Sequence, residues 1–227
     1  MELIAELDPP RDKRLLLELA SDISRYYDWI DIPDAPLGKP NYNSPVVAAY
    51  LRARGFRVIA HLRVTDVNTI AIKTITKTIG SLGVERIVYL RGDPPQQGST
   101  VEDMSPEEAV YYARTRPEAP EPGLLLSLRK PWAEIAKRLQ VPAGFYLALN
   151  YDWRRRSNAN LLSMTVDRAH EMGKRVYLYL VAGRDDCSEI SSLVVGLEGL
   201  IDGIIVSSPM DRECLVGLGR TLREVLA

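Results

Sequence analysis

The stretch RVIAHLRVTDVNTIAIKTITKTIGSLGVERIVYLRGDPP, residues 57–95, changes its hydrophobic period twice. Residues 57–64 form a short apolar run of strand character. From Asn68 onward the apolar residues Ile72, Ile75, Ile79 and Leu82 return at spacings of three and four, one face of a helix. Gly83 sits where that helix must stop, and Arg86–Arg91 is strand-like again before Gly-Asp-Pro-Pro makes a turn. Strand, helix, strand in so short a span is a parallel pair joined by a right-handed crossover.

The same unit recurs along the whole chain. Strand-like runs are predicted at Leu3–Leu7, Trp29–Ile32, Arg57–Val64, Arg86–Arg91, Leu124–Arg129, Phe145–Asn150, Arg175–Val181 and Gly203–Ser207. A helical pattern follows each. The first carries Leu15, Leu16, Leu19, Ala20 and Ile23, and the second opens at Ser44-Pro45, read as a cap followed by proline. The fourth opens at Ser105-Pro106-Glu107-Glu108, a capping-box pattern. Others are expected near Trp132–Leu139, Ala159–Met172, Ser188–Leu197 and Arg212–Val225. Eight such units predict an α/β fold, a (β/α)8 TIM barrel forming a single domain over residues 1–227. The alternative is a doubly wound open sheet. That fold expects a glycine-rich phosphate loop after the first strand, where this chain has Asp8-Pro9-Pro10-Arg11. The segment RPEAPEPG, 116–123, is read as a surface loop within the barrel.

Composition narrows the function classes. With 29 basic and 30 acidic residues the net charge is −1, so no basic excess points to nucleic acid. The first residues lack a secretory pattern and no apolar run is long enough to span a bilayer, so a cytoplasmic protein away from membranes is expected. Cys187 and Cys214 are the only cysteines, form no CxxC pair and need not be oxidised; with His61 and His170 the only histidines, no metal site is expected. Walker, G-x-G-x-x-G, G-x-S-x-G and H-E-x-x-H motifs are absent.

In a TIM barrel the chemistry gathers at the carboxyl ends of the strands, and side chains alternate between lumen and helix layer. Parity sets Glu6 and Asp8 opposite Leu3, Ala5 and Leu7; His61 and Arg63 opposite Ala60, Leu62 and Val64; Tyr89, Arg91 and Asp93 opposite Val88 and Leu90; and Asn150 opposite Leu147 and Leu149. On each strand the second set is assigned to the helix layer. The lumen mouth is thus expected to hold Glu6, His61, Arg63, Arg91, Asp93 and Asn150, joined by Asp34 after the second strand. Two carboxylates and a histidine suit acid–base chemistry, and an arginine beside an aspartate suits anchoring of a planar polar ring or a phosphate. Alternatives stay open at this point. His61 on an apolar strand also suits a structural role, Arg91 and Asp93 could pair with each other, and Arg154-Arg155-Arg156 could be a solvated loop or an anion contact. Glu6 is the hardest to explain structurally, because a carboxylate inside a barrel is costly unless paired or used.

Residues 59–98 resemble the methylenetetrahydrofolate reductase family in the strand ending His61-Leu62, the Asp66-Val67-Asn68 that follows, and the strand ending Leu90-Arg91-Gly92-Asp93-Pro94-Pro95. Glu6-Leu7-Asp8-Pro9-Pro10-Arg11 is similar to the family's opening Glu-x-x-Pro-Pro-Arg, and Asp31-Ile32-Pro33-Asp34 is similar to the Asp-x-Pro segment of methyltransferase-fused branches. The resemblance implies a flavin-bearing (β/α)8 barrel that reduces a 5,10-methylene-tetrahydropterin to the 5-methyl form, in one-carbon metabolism and methionine biosynthesis. It implies Glu6 as general acid and Asp93 as the carboxylate facing flavin and pterin, the two catalytic positions. It implies Asp34, His61, Arg91, Gly92 and Asn150 as cofactor contacts. FAD is the implied cofactor with FMN as the alternative, and NAD(P)H or a partner protein is the electron donor.

The chain departs from the family pattern at Arg63, where threonine is usual, and after the fifth strand, where LRKPWAEIAKRLQVPAGFYLALN replaces a longer segment. That compression motivates two further expectations: a homo-oligomer or partner subunit that completes the site, and a non-catalytic or partner-dependent subunit binding folate or a protein at the barrel mouth. A third class is a barrel aldolase or lyase using Glu6 and Asp93, with Lys130 the one strand-end lysine available for it.

Overall fold

In the computed structural model the strands close on themselves. The model describes residues 1–155, 158–183, 186–208 and 212–226, leaving aside the side chains of residues 187 and 188. Strands β1 (Glu2–Glu6), β2 (Trp29–Ile32), β3 (Val58–Arg63), β4 (Arg86–Leu90), β5 (Glu121–Ser127), β6 (Phe145–Leu149), β7 (Arg175–Val181) and β8 (Gly203–Ser207) form a closed barrel in chain order. All neighbours are parallel, and β1 closes against β8 through Glu2↔Gly203 to Ala5↔Val206. Helices α1 (Lys13–Ile23), α2 (Ser44–Arg52), α3 (Thr69–Ser81), α4 (Pro106–Arg114), α5 (Trp132–Leu139), α6 (Ala159–Glu171), α7 (Cys187–Val195) and α8 (Arg212–Val225) follow the strands in turn. This is a (β/α)8 TIM barrel.

Local chemistry sets the helix starts. Asp12 caps α1 by accepting from the amides of Arg14 and Leu15, and Asn68 caps α3 through Ala71. Ser105 and Glu108 form the reciprocal capping box of α4. At α2 the cap is Asn43, which accepts from Val46 N, rather than Ser44. Ser44 is fully buried and instead donates to Ile32 O at 2.6 Å while accepting from His61 N at 2.8 Å. It thereby pins the end of β2 to β3.

Two apolar layers result. Leu3, Ala5, Ile30, Ile32, Ala60, Leu62, Ile87, Ala148, Val176 and Ile204 face the helices, while Ile4, Trp29, Ile59, Val88, Phe145, Leu147, Tyr177 and Ile205 fill the lumen. Fully burying one such side chain contributes about 1.5–3 kcal/mol. The assignment of faces from parity holds on β1 and β3 and is inverted on β4 and β6. Val88 and Leu147 point inward, whereas Tyr89 and Ala148 point to the helices. The Tyr89 hydroxyl is satisfied outside the lumen by Thr76 of α3 at 2.7 Å, so a polar tip on this strand does not mark the inner face.

β5 starts three residues earlier than expected. Of the proline-rich segment 116–123, Glu121, Pro122 and Gly123 belong to the strand, paired with Arg86, Ile87 and Val88. Gly123 is required there because a Cβ would run into the Phe145 ring. Cys214 is disulfide-bonded, which corrects the expectation for that cysteine; the side chain of residue 187 lies outside the described residues. Among the described residues no helix is long and apolar enough to cross a membrane, and no group of histidine, cysteine and acidic side chains is placed to hold a metal ion.

Candidate active site

The carboxyl ends of the strands surround a cavity of about 970 Å³. Glu6, Asp34, His61, Arg63, Arg91, Gly92, Asp93, Ser127 and Tyr179 supply its polar lining; Leu37, Leu90, Leu125, Leu126 and Leu149 supply much of its apolar wall. Lys130, Lys137 and Arg138 extend the lining along the β5–α5 side.

Glu6 ends β1 with its carboxyl inside the barrel. Its Oε1 accepts from Ser207 Oγ at 2.6 Å, and its Oε2 accepts from the Tyr179 hydroxyl. Burial raises its pKa above the ordinary carboxylate value, and the nearby Asp31 adds to the rise, against the lowering effect of the two hydroxyls and His61. Asp31 is Glu6's register partner on β2 and is fully buried. Its Oδ1 lies 2.9 Å from His61 Nε2, while its Oδ2 has no hydrogen-bond partner among the described residues. Burial works against a charged imidazole at His61, but the charge of Asp31, its hydrogen bond, and the charges of Glu6 and Asp34 outweigh it and raise the pKa. Burial likewise raises Asp34, opposed by the amides of Arg63 and Ser44.

Arg63 is an organiser of loops. It is almost fully buried, binds Asp66 through Nε at 2.6 Å, and donates from Nη2 to Asp93 O at 2.8 Å. Gly92, at φ +70°, lies so close that a Cβ would collide with the guanidinium, so glycine here serves both the turn and the packing. The β2–α2 loop is held just as tightly. Ala35, Leu37 and Gly38 all have left-handed backbone, and Gln96 binds Gly38 O through its amide at 2.9 Å and Leu37 O through its side chain at 3.2 Å. The two loops thus brace one another at the cavity rim.

The Arg91 and Asp93 side chains are exposed at the cavity and do not pair with each other; among the described residues their backbone carbonyls are engaged, by Thr65 and Arg63. Of the expected residues, Glu6, Asp34, His61, Arg91, Gly92 and Asp93 come together around one cavity. Asn150 does not line it. It follows β6 in a left-handed turn (φ +63°) and donates from Nδ2 to Ser127 Oγ at 3.0 Å, acting on the site through Ser127. Asp31, Tyr179 and Ser207 are additions to the sequence reading. Asp31 was legible as the residue two after Trp29, hence on the same face; Tyr179 and Ser207 were legible only from the inward parity of β7 and β8. Arg154 pairs with Asp186 at 2.6 Å and stacks on Trp153, while Arg156 lies outside the described residues.

The mouth of this TIM barrel thus carries a half-buried glutamate, an Asp–His pair and a braced Gly-Asp-Pro-Pro loop. The methylenetetrahydrofolate reductase family model matches residues 2–115, β1 through α4, and the chain belongs to that family. Membership makes it a folate-related reductase in general terms, from a family that is generally flavin-dependent and to which a pterin substrate is suited. No curated protein matches the chain. Among solved structures, similar folds include tryptophan synthase from Pyrococcus furiosus (16% identity, 99% of this chain and 97% of that one, TM-score 0.67). Tryptophan synthase from M. tuberculosis (14%, 99% and 91%, TM-score 0.64) and orotidine 5'-phosphate decarboxylase from Pyrococcus horikoshii (14%, 97% and 99%, TM-score 0.62) are also similar. At these identities the likeness is one of fold.

Proposed function

We propose that this chain reduces a 5,10-methylene-tetrahydropterin, tetrahydrofolate or a related pterin, to its 5-methyl form with a bound flavin, Glu6 acting as general acid. The observation that carries this reading is the Glu6 carboxyl: half-buried, fixed by two hydroxyls and raised in pKa, it is equipped to hold a proton and release it to a ring nitrogen. Protonation at N10 opens the five-membered ring to an electrophilic iminium at N5. A bound flavin supplies the hydride that reduces it.

The cavity suits planar ring systems. Its volume is at the upper end of small-molecule sites, with leucines on its walls and free Arg91 and Asp93 side chains at its rim. Asp93 and Arg91 would orient the polar edges of flavin and pterin, and Gly92 lets the backbone approach closely. His61 and Asp34 would contact the flavin from the β2–β3 side. FAD is the first choice and FMN the alternative, with NAD(P)H or a partner protein supplying electrons. The family model ends at residue 115, which keeps a second reading in play: a partner-dependent subunit completed by another chain at the β5–β8 side.

Reconstitution with FAD or FMN and assay of both half-reactions tests the proposal. Wild type is expected to bind flavin and reduce the methylene group. Glu6→Gln is expected to bind flavin and pass electrons to an artificial acceptor, with methylene reduction lower by about 10²–10⁴-fold. Methylene reduction within about threefold of wild type in the variant removes the general-acid role. Failure to bind either flavin removes the flavin part, and activity only with a co-purified protein selects the second reading.

A further inference from the structure

Around the top of the lumen the inward-facing polar groups form a continuous belt on adjacent strands. Tyr179 on β7 and Ser207 on β8 hold Glu6 on β1; Glu6 stands beside its register partner Asp31 on β2; and Asp31 binds His61 on β3. Neighbouring strands run about 4.8 Å apart, so same-face register partners are immediate neighbours. Like charges in that position oppose each other. The belt holds two carboxyl groups, and its single imidazole is committed to Asp31 Oδ1. Asp31 Oδ2 is buried without a hydrogen-bond partner among the described residues, so none of these supplies a further counter-charge to offset its effect on Glu6. Arg63, the nearest arginine on β3, is engaged by Asp66 and by main-chain carbonyls.

We propose that Asp31 is the positioning residue for the Glu6 proton: its buried carboxylate, side by side with Glu6 and held by His61, keeps the neighbouring carboxyl in its acid form. The belt then carries two protons on three groups, an imidazolium, a carboxylate and a carboxylic acid, with no net charge. When Glu6 gives up its proton, two carboxylates stand side by side with one cation, His61, on the far side of Asp31, and proton return to Glu6 is favoured. This rests on the reading of Glu6 as general acid. The groups that face Glu6 are Tyr179 and Ser207 from β7 and β8, Asp31 from β2, and His61 from β3, with Asp34 farther along the same wall.

The test is infrared pH titration of the intact protein, with the protonated-carboxyl band assigned to Glu6 by its loss in Glu6→Gln. In wild type the band is expected to persist above the ordinary carboxylate range. In Asp31→Asn, which keeps an amide beside His61, its midpoint is expected to fall by about one pH unit or more. His61→Gln removes the cation and leaves Asp31 charged, so the midpoint is expected to rise. An unchanged midpoint in Asp31→Asn overturns the proposal. If that variant does not fold, an unchanged or lower midpoint in His61→Gln overturns it instead. The absence of any Glu6 band in wild type above the ordinary carboxylate range also overturns it. The parent reading fails separately: expected band shifts together with full methylene reduction by Glu6→Gln leave the role of Asp31 standing and remove that of Glu6.

Discussion

The two ends of the lumen are built from the same parts and behave oppositely. At the amino end of β1, Glu2 accepts from the Tyr177 hydroxyl of β7 at 2.5 Å; four residues on, Glu6 accepts from the Tyr179 hydroxyl of the same strand. Below, Arg86 reaches in from β4 and binds both Glu2 oxygens at 2.9 and 3.1 Å, and Trp29 Nε1 adds a third donor at 3.0 Å. Above, no arginine among the described residues touches Glu6, and its register partner on β2 is the carboxylate Asp31. Burial opposes ionisation at both ends, yet the Arg86 and hydroxyl bonds carry Glu2 down to about 2 while Glu6 goes up. One arginine separates a structural carboxylate from one able to give away a proton.

The strongest way to break this comparison is at the lower end. Arg86→Met removes the cation and leaves Glu2 partly buried beside Trp29 and Tyr177. We expect a loss of about 3 kcal/mol in urea unfolding, with the pH profile of methylene reduction unchanged. A loss below about 1 kcal/mol would mean that water already satisfies Glu2.

Acid titration of stability probes the two carboxyls with opposite sign. Glu2, lowered in the fold, contributes stability that is complete above its unfolded value of 4.5 and is lost as pH falls toward 2. The contribution is about 2 kcal/mol after allowance for its contact with solvent, and Glu2→Gln should flatten this limb in thermal melts. Glu6, raised in the fold, costs stability as pH rises from the ordinary carboxylate value through its own. Glu6→Gln should therefore stabilise the protein on the alkaline side while it lowers activity, and an acid-side loss from this variant would contradict the assignment.

The finest discrimination comes from the paired tyrosines. Tyr177→Phe takes a donor from an ionised carboxylate and should cost about 1.5–2 kcal/mol of stability with little effect on turnover. Tyr179→Phe takes a donor from Glu6, so it should change stability less and methylene reduction more. Equal stability losses would show that both glutamates are ionised in the folded protein.

Much of this was legible in the chain. The eightfold alternation of period gives the barrel, and Glu6, His61 and the Gly-Asp-Pro-Pro turn stand at strand ends where a barrel places its chemistry. What parity misread, on β4 and β6, is the consequence of a filled lumen. Val88, Leu147 and Leu149 are as apolar as residues facing the helices, so those strands carry no contrast between faces. Tyr89 then misleads, its hydroxyl being satisfied by Thr76 on the outside. Arg63, expected at the barrel mouth, does line the cavity and also ties together the loops after β2, β3 and β4. Beside the Asp66 carboxylate its partners are the backbone carbonyls of Ala35 and Asp93, which carry no side-chain signature in sequence.

The position of Glu6 has one more consequence. Its two hydroxyl partners lie 173 and 201 residues away, across the β1–β8 seam where the sheet becomes a cylinder. Its supports come from strands that are far from it in sequence and reach it only when the sheet closes. The surroundings of Glu6 are therefore assembled by the closing of the seam, and its titration is a built-in gauge of whether the cylinder is complete.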